Sequence, residues 1–290
     1  MDEVVTGAGP LLMLIGPVDS GKSTLALRLA EAKRRHFPAA RIALVCTDPG
    51  QSHPGPPTTV GWTLYPQGRP GSPTPDWDSL EPAGLGFAGS TSPYGRPFDM
   101  LAAAVECVQQ ALQAADCVIV DTSGLAAGPA GLALKRAKLS LLRPDAVVLL
   151  EPHPGALALV AGWAKLTGGA RVWIGSPPPQ TVRRTPSERR QYRRERFRRY
   201  FAHAEVRPVP AGALGTADLL QLPTGGLFAG LDQGGKTLGV ARLSDPVRLW
   251  AESPWPLELA RAFVAGALYL DDEFGEHRLP RASRRGRASR

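Results

Sequence analysis

The sequence is poor in cysteine and lacks long apolar runs. Its three cysteines, Cys46, Cys107 and Cys117, stand at no metal-ligand spacing, which argues against a disulfide framework and a zinc site. The histidines show no metal-ligand spacing either. No apolar stretch reaches about 18 residues, so no membrane span is predicted. Because acidic Asp2 and Glu3 occupy the start, no signal peptide is expected, and a cytoplasmic protein is predicted.

Acidic residues are scarce in two segments of the chain. Residues 181–201 contain nine arginines and two glutamates, and residues 278–290 contain six arginines and no acid. The formal net charge of +8 is concentrated there, since acids outnumber bases elsewhere. Focused positive charge suits a polyanionic partner. The second segment is equally consistent with a disordered basic tail.

One complete motif is present near the start of the chain. Residues 16–24 read Gly-Pro-Val-Asp-Ser-Gly-Lys-Ser-Thr and fit the phosphate-loop pattern G-x-x-x-x-G-K-[ST]. An apolar run precedes the motif and an amphipathic run follows it, which is the strand–loop–helix context that it needs. Lys22 can reach the β- and γ-phosphates, and the Ser23 hydroxyl can bind Mg²⁺. The predicted nucleotide-binding residues are Gly16, Asp19, Ser20, Gly21, Lys22, Ser23 and Thr24.

Apolar and amphipathic runs alternate through the first 210 residues, which favours a parallel sheet. The predicted strands are Leu11–Ile15, Arg41–Cys46, Gly86–Ala88, Cys117–Val120, Ala146–Leu150 and Arg171–Ile174. The predicted helices are Lys22–His36, Phe98–Ala115, Ala130–Leu142, Ala156–Leu166 and Ser187–Phe201. Turn residues predict a long loop from about Ser52 to Gly84. The fold class is therefore α/β, a doubly wound parallel sheet of the P-loop NTPase type.

The sequence changes character after Val209. Glycine turns separate predicted strands at Leu227–Leu231, Leu238–Leu243 and Val247–Trp250, and a helix start and a final strand are predicted within Leu257–Leu270. This pattern favours a small, mainly β module. We therefore expect a P-loop domain over residues 1–210, a C-terminal module over 211–277 and a basic, disordered tail over 278–290.

Two acids follow predicted strands, at the edge where open α/β sheets bind ligands. Asp48 could deprotonate a hydroxyl group or hold Mg²⁺, or it could cap an Asp-Pro-Gly turn. Asp121 could hold Mg²⁺ through water, or it could form an Asx turn. Ser23, Asp48 and Asp121 are thus the metal-binding candidates.

The arginine-rich segment predicts a helical lid over about residues 181–202. Arg189 and Arg193 are four residues apart and share a helix face. Guanidinium groups suit phosphate oxygens, and lids that close over nucleotides are typical of small-molecule and nucleoside kinases. Phosphoryl transfer needs a loop that binds the phosphates, a metal ion, a group that orients the acceptor, and positive charge near the transferring phosphate. The catalytic candidates are Lys22, Asp48, Arg189 and Arg193. Alternatively, the arginines of the helix form a basic face that is exposed to solvent and binds no ligand.

Four aromatic residues fall in the loop-rich region: Trp62, Tyr65, Trp77 and Tyr94. Aromatic rings stack on nucleic-acid bases with little sequence preference, which suits single strands. Taken singly, each of these residues is predicted to serve local packing. His53 lies two residues after Gln51 and could line the predicted phosphate-binding site near Asp48.

In their order, these motifs resemble the RNA 5′-hydroxyl polynucleotide kinases of mRNA 3′-end formation, tRNA splicing and ribosomal RNA maturation. The glycine-rich module after residue 210 resembles the small C-terminal domain of that family. Five segments are similar to its successive motifs: residues 16–24, the Thr47–Gln51 segment with Pro54-Gly55, Phe87–Pro93, Val118–Gly131 and Val182–Phe201.

The resemblance implies an ATP-dependent kinase that phosphorylates the 5′-hydroxyl end of RNA or DNA. It implies that Lys22 and Ser23 bind ATP phosphates and Mg²⁺, and that Asp48 acts near the acceptor hydroxyl. Arg189 and Arg193 would contact the transferring phosphate. The expected substrate contacts are Gln51, Arg184 and a clasp formed by Thr122, Ser123 and Gly124. No protein partner is predicted, and a monomer or weak oligomer is expected.

Three positions depart from the family pattern. Cys46 stands where relatives often have an acid, Leu125 where they typically have Trp, and Asp121 where they often have Asn. The alternative function is a small-molecule kinase or a nucleotide-dependent switch. The sequence has no Asn-Lys-x-Asp guanine-recognition motif after Asp121, which counts against a GTPase.

Overall fold

A computed structural model describes residues 1–67, 74–177 and 183–279. The helices are α1 (Asp2–Gly7), α2 (Lys22–His36), α3 (Pro97–Ala114), α4 (Gly128–Leu142), α5 (Pro154–Leu166), α6 (Pro186–Tyr200) and α7 (Thr216–Leu219). The strands are β1 (Leu11–Ile15), β2 (Ile42–Thr47), β3 (Thr59–Leu64), β4 (Gly84–Phe87), β5 (Cys117–Thr122), β6 (Ala146–Leu150), β7 (Arg171–Gly175), β8 (Glu205–Pro208), β9 (Gly226–Leu231), β10 (Thr237–Asp245), β11 (Trp250–Ser253), β12 (Ala262–Leu270) and β13 (Glu276–Arg278). None of the described helices has the length and apolar character needed to cross a bilayer.

Five parallel strands form one end of the sheet, in the order β2-β5-β1-β6-β7, with β7 at the edge. Helices α1 and α2 cover one face, where Leu12 and Leu14 point. Helices α3, α4 and α5 cover the other face, where Met13 points. Since both faces are covered, β1, β2, β5 and β6 are fully buried and mostly apolar rather than alternating, whereas the edge strand β7 is partly exposed. The predicted doubly wound α/β fold is confirmed.

The sheet continues beyond β2 with antiparallel strands. β3 pairs with β2, β4 with β3, and β10 with β4, which joins the C-terminal strands β9, β12 and β13 to the same sheet. The prediction of a long loop from Ser52 to Gly84 was wrong, because it contains β3 and a short 3₁₀ turn at Trp77–Ser79. Strand β3 is almost wholly buried, and its sequence alternates Val60, Trp62 and Leu64 with smaller residues. The prolines and glycines on both sides of this short run indicate turns, and they hid the strand.

Most other predicted elements are found with ends within two residues of their predicted positions. The strand predicted at Val247–Trp250 was wrong, because the Asp245 carboxylate accepts hydrogen bonds from Val247 N and Arg248 N, both at 2.9 Å. These bonds close a turn, and β11 begins only at Trp250. The short elements α1, α7, β8 and β13 were missed.

Helix α6 corresponds to the predicted lid. It begins at a capping box, in which Glu188 N donates to Thr185 Oγ1 at 3.2 Å. Its C-terminal end is buried: Phe197 and Phe201 belong to one apolar cluster with Val240 and other C-terminal residues. The Tyr200 hydroxyl accepts a hydrogen bond from Val240 N at 2.9 Å. One end of the lid is thus fixed to the C-terminal strands.

Parts of the predicted organisation lie outside the described residues, namely lid residues 181–182 and tail residues 280–290. Arg278, the first residue of the predicted tail, belongs to β13. The division into a domain at 1–210 and a module at 211–277 stays a prediction. The three cysteines are buried and free.

Candidate nucleotide and acceptor site

The phosphate loop connects β1 to α2. Gly21 takes a left-handed conformation (φ 81°) directly before the helix, which glycine adopts without steric cost. The free backbone N–H groups at the start of α2 therefore face the loop, where they favour a bound anion. Lys22 Nζ donates to Pro17 O at 2.5 Å and to Ser20 Oγ at 3.3 Å. Burial lowers the pKa of Lys22, while the nearby Asp121 and Asp48 oppose this shift.

A cavity of about 690 Å³ lies against this loop. Its volume falls within the range of roughly 300–1,000 Å³ that is typical of small-molecule sites. It is lined by the predicted nucleotide-binding residues 19–24 and by six other predicted site residues, Asp48, Gln51, Asp121, Thr122, Gly124 and Arg184. His53 also lines it. The structure thus gathers most of the predicted donor-side residues around one space.

Of the metal-binding candidates, Asp48 and Asp121 lie at adjacent strand ends, and Ser23 lies in the first turn of α2. Ser23 Oγ donates to Asp121 Oδ2 at 2.5 Å, while Asp121 Oδ1 is buried and has no hydrogen-bond partner among the described residues. Burial raises the pKa of Asp121, and Lys22 and the Ser23 hydrogen bond oppose this shift. Asp48 is partly exposed and accepts a hydrogen bond from Gly50 N at 2.9 Å. Asp48 therefore forms the predicted turn and still faces the cavity.

These oxygen atoms fit Mg²⁺. A hydroxyl group and carboxylates are the hard ligands that Mg²⁺ prefers, and the ion usually keeps several waters and binds substrate phosphates. Within the described residues, no group of three or more His, Cys, Asp or Glu side chains could enclose a metal on its own. The arrangement fits an ion shared with a phosphate ligand better than a closed structural site.

The predicted clasp begins at Thr122, the last residue of β5. Thr122 Oγ1 donates to Leu14 O at 2.7 Å, so this hydroxyl is used by the fold. Ser123 Oγ is buried and has no hydrogen-bond partner in the part of the chain that the structure describes. Ser123, Gly124 and Leu125 line a second cavity, of about 470 Å³, which also borders Asp48 and Gln51. The clasp therefore lies where two cavities adjoin.

We expect Gly124→Ala to weaken nucleotide binding by about 10-fold or more, because overpacking costs about 1–3 kcal/mol. An added Cβ atom would lie 2.5 Å from Val18 Cα and 2.6 Å from Val18 N, and backbone atoms of the phosphate loop cannot rotate away. Equilibrium titration with a fluorescent ATP analogue measures the effect. Gly162→Ala is the control, since no atom lies within 4 Å of its added Cβ. Unchanged affinity in Gly124→Ala would contradict this close approach.

The lid arginines lie on both sides of the clasp. Arg189 Nη2 donates to Asp19 Oδ2 at 2.8 Å, and Arg184 N donates to the same atom at 2.9 Å. Arg193 Nε donates to Glu276 of β13 at 2.9 Å. Arg189 and Arg193 line the second cavity, whereas Arg184 lines the first and lies 5.1 Å from the centre of the Tyr192 ring. The two predicted catalytic arginines are thus ion-paired with acids beside the cavities.

A second contact ties α6 to the segment after Asp48. Arg196 pairs with Asp78 and donates to Gly55 O at 2.6 Å. The hydrogen bond from His53, together with Arg196, lowers the pKa of Asp78 to about 2. Trp77 Nε1 donates to Ser23 O at 2.9 Å. The segment predicted as a featureless loop therefore connects the lid to the phosphate loop.

Two buried lysines of α4 were missed by the sequence analysis. Lys135 Nζ donates to Thr122 Oγ1 at 2.8 Å and to Ser123 O at 2.5 Å. Lys138 Nζ donates to Thr47 Oγ1 at 2.7 Å. Burial lowers the pKa of both, that of Lys138 to about 8. They fix the ends of β5 and β2, and their spacing on the apolar face of α4, beside Leu134 and Leu139, is the signal that could have revealed them.

The family comparison agrees with this geometry. The family model described as "mRNA cleavage and polyadenylation factor CLP1 P-loop" matches residues 16–203. A protein named polyribonucleotide 5′-hydroxyl-kinase from Pyrococcus horikoshii is 29% identical over 196 residues, which are 67% of this chain and 50% of that protein. One of the same name from Thermococcus kodakarensis is 33% identical over 197 residues, 67% of this chain and 52% of that protein. The chain thus spans about half the length of these relatives.

Solved structures share the fold. The wild-type Clp1p–Pcf11p complex matches with a TM-score of 0.67 and 14% identity, over 92% of this chain and 76% of that one. A structure of the extended interface between Pcf11p and Clp1p matches with a TM-score of 0.68 and 14% identity, over 92% and 77%. The family model covers well over half of the chain, including the phosphate loop, the clasp and the lid. The chain therefore belongs to the CLP1 P-loop family.

Proposed function

We propose that this chain is a polynucleotide kinase, which transfers the γ-phosphate of ATP to the 5′-hydroxyl end of RNA or DNA. One observation carries the proposal. The cavity at the phosphate loop and the arginine-lined cavity adjoin, and both are bordered by Val18, Asp48, Gln51 and Gly124. A donor site and an acceptor site that meet at a carboxylate suit direct phosphoryl transfer. The name shared by the archaeal relatives supports the same activity.

On the donor side, the phosphate loop holds ATP. Backbone N–H groups at the start of α2 bind the phosphates, and Lys22 exchanges its contacts with Pro17 and Ser20 for phosphate oxygens. Ser23, Asp48 and Asp121 would hold Mg²⁺. When bound, this ion offsets negative charge on the phosphate oxygens. The donor is thereby fixed with its γ-phosphate toward the second cavity.

On the acceptor side, Asp48 accepts a hydrogen bond or the proton from the 5′-hydroxyl group. One of its oxygens already accepts from Gly50 N, which fixes the orientation of the carboxylate. Arg189 and Arg193 stabilise the charge of the transferring phosphate. A guanidinium group has five N–H donors, and the ion pair with Asp19 uses Nη2 of Arg189. Arg189 can therefore contact phosphate while it keeps Asp19.

A small-molecule kinase or a nucleotide-dependent switch is the alternative. The second cavity favours a polyanionic acceptor, because three arginines border it: Arg189, Arg193 and Arg278. A switch has no need of such an acceptor cavity beside its phosphate loop. The arrangement of charge therefore supports a nucleic-acid acceptor.

The test uses the full chain, ATP with a radioactive γ-phosphate, Mg²⁺ and matched RNA and DNA strands. We expect label on strands that begin with a 5′-hydroxyl group and none on the same strands with a 5′-phosphate. Phosphatase should remove the label, because it sits at the end of the strand. ATP consumption that does not depend on the strand would instead support the small-molecule kinase or the switch. The RNA and DNA series also measures which acceptor is preferred.

A further inference from the structure

The second cavity has an outer wall that the proposed mechanism does not use. Near Asp48 it is bordered by the clasp and by Arg189, and elsewhere by Tyr94, Leu268 and Arg278. Tyr94 belongs to the segment before α3, and Arg278 to β13. Two segments far apart in sequence thus place an aromatic ring and a cation at the same cavity.

Tyr94 differs from the other aromatic residues of the loop-rich region. Trp62, Tyr65 and Trp77 are buried, and each uses its polar atom within the fold: Trp62 Nε1 donates to Gln110, Tyr65 OH to Glu31, and Trp77 Nε1 to Ser23 O. The prediction of local packing therefore holds for these three. Tyr94 is 65% exposed, and its side chain makes no hydrogen bond to the described residues. The fold leaves the face of this ring free.

Arg278 also differs from its neighbours. Arg189 is paired with Asp19 and Arg193 with Glu276. His277 lies 2.9 Å from Asp271 and stacks on Tyr269. Arg278 is exposed and forms no ion pair with any acid in the described ranges. It is thus a cation at the cavity wall whose charge no neighbouring carboxylate neutralises.

We propose that Tyr94 and Arg278 form a subsite for the first nucleotides of a single-stranded acceptor. The Tyr94 ring stacks on a base, and the Arg278 guanidinium group pairs with a backbone phosphate. This inference rests on the proposed function, because the subsite continues the cavity that begins at Asp48. Leu125 of the clasp has no aromatic ring. Among the described residues that border this cavity, two have aromatic rings, Tyr94 and His277, and the His277 ring is already stacked on Tyr269. Both contacts are available to RNA and DNA, since each has base rings and phosphates.

The stacking contact is tested by pairing a protein change with a strand change. Wild type and Tyr94→Ala are titrated with fluorescently labelled single strands, either intact or with one base removed near the 5′ end. We expect Tyr94→Ala to weaken binding of the intact strand by about 5-fold or more, because base stacking is worth about 1–3 kcal/mol. Removal of the stacked base should weaken binding to wild type but add little in Tyr94→Ala. Tyr94→Phe should bind like wild type.

Controls separate this inference from the proposed function. Phe98→Ala removes an aromatic ring that is 83% exposed but lines neither cavity, and should bind strands normally. Arg278→Ala should reduce the slope of log affinity against log salt by about 0.7, as expected for one lost phosphate contact with a single strand. Equal binding of the intact strand by wild type and Tyr94→Ala would overturn the proposed subsite. So would the finding that, at every base position, removing the base weakens binding to Tyr94→Ala as much as it weakens binding to wild type. Normal binding without phosphorylation would instead overturn the proposed kinase. The same series with RNA and DNA shows which strand the subsite prefers.

Discussion

Lys22→Ala is expected to reduce 5′-end phosphorylation by at least about 10³-fold, the size of effect seen when a group that stabilises transferring charge is lost. Among the described residues, the Lys22 ammonium group donates only to Pro17 O and Ser20 Oγ, both in the phosphate loop. It holds no other element in place, so its removal should leave the fold intact. The loss should therefore appear in the chemical step rather than in the amount of folded protein.

Single-turnover phosphorylation of a 5′-hydroxyl strand measures this effect, with thermal unfolding as the check on folding. Lys165→Ala is the matched control, because Lys165 is an exposed lysine in the last turn of α5. It should phosphorylate strands at the wild-type rate. If Lys22→Ala kept a rate within about tenfold of wild type, the phosphate loop would not supply the charge that phosphoryl transfer needs.

Asp48→Asn is expected to lower kcat by about 10²- to 10⁴-fold, the usual contribution of a group that accepts a proton in the transition state. Asparagine keeps an oxygen that can accept from Gly50 N, so the turn after β2 should persist. It removes the negative charge and the ability to take a proton. ATP binding should change far less than kcat, because the phosphates are held by the loop.

The control for this change is Asp116→Asn. Asp116 is also a carboxylate that accepts from a backbone N–H group, that of Arg41 at 2.8 Å, but it lines neither cavity at the phosphate loop. Activity of Asp48→Asn near the wild-type level would remove Asp48 from the mechanism. Recovery of activity at raised Mg²⁺ concentration would assign the carboxylate to the metal, and failure to recover would assign it to the acceptor hydroxyl.

The phosphate loop and the two acids at the strand ends could be predicted from short sequence patterns. Strand β1 and helix α2 were predicted with their observed ends, because a continuous apolar run, the phosphate-loop motif and an amphipathic run follow one another directly. Asp48 and Asp121 were placed together because parallel strands end at the same edge. The register of β2 on β5, in which Cys46 is opposite Asp121, produces that placement.

Most of the rest depends on contacts between residues that are distant in sequence. Arg193 and Glu276 are 83 residues apart, and nothing near either residue indicates the pair. Lys135 and Lys138 suggest an exposed helix face, because lysine is rarely fully buried. They are buried here because the ends of β5 and β2 offer them oxygen acceptors. Strand β3 was hidden by the proline and glycine residues around it.

The attachment of α6 at its C-terminal end determines how its arginines can move. Eight residues separate Arg189 from Phe197, which is about 12 Å along a helix, and four separate Arg193 from it, about 6 Å. A tilt of about 10° about the buried end would displace Arg189 by roughly 2 Å and Arg193 by roughly 1 Å. Such a tilt would leave the C-terminal end of the helix in place among the C-terminal strands. A change in packing at Val240 or Leu268 that tilted the helix would therefore move Arg189 about twice as far as Arg193.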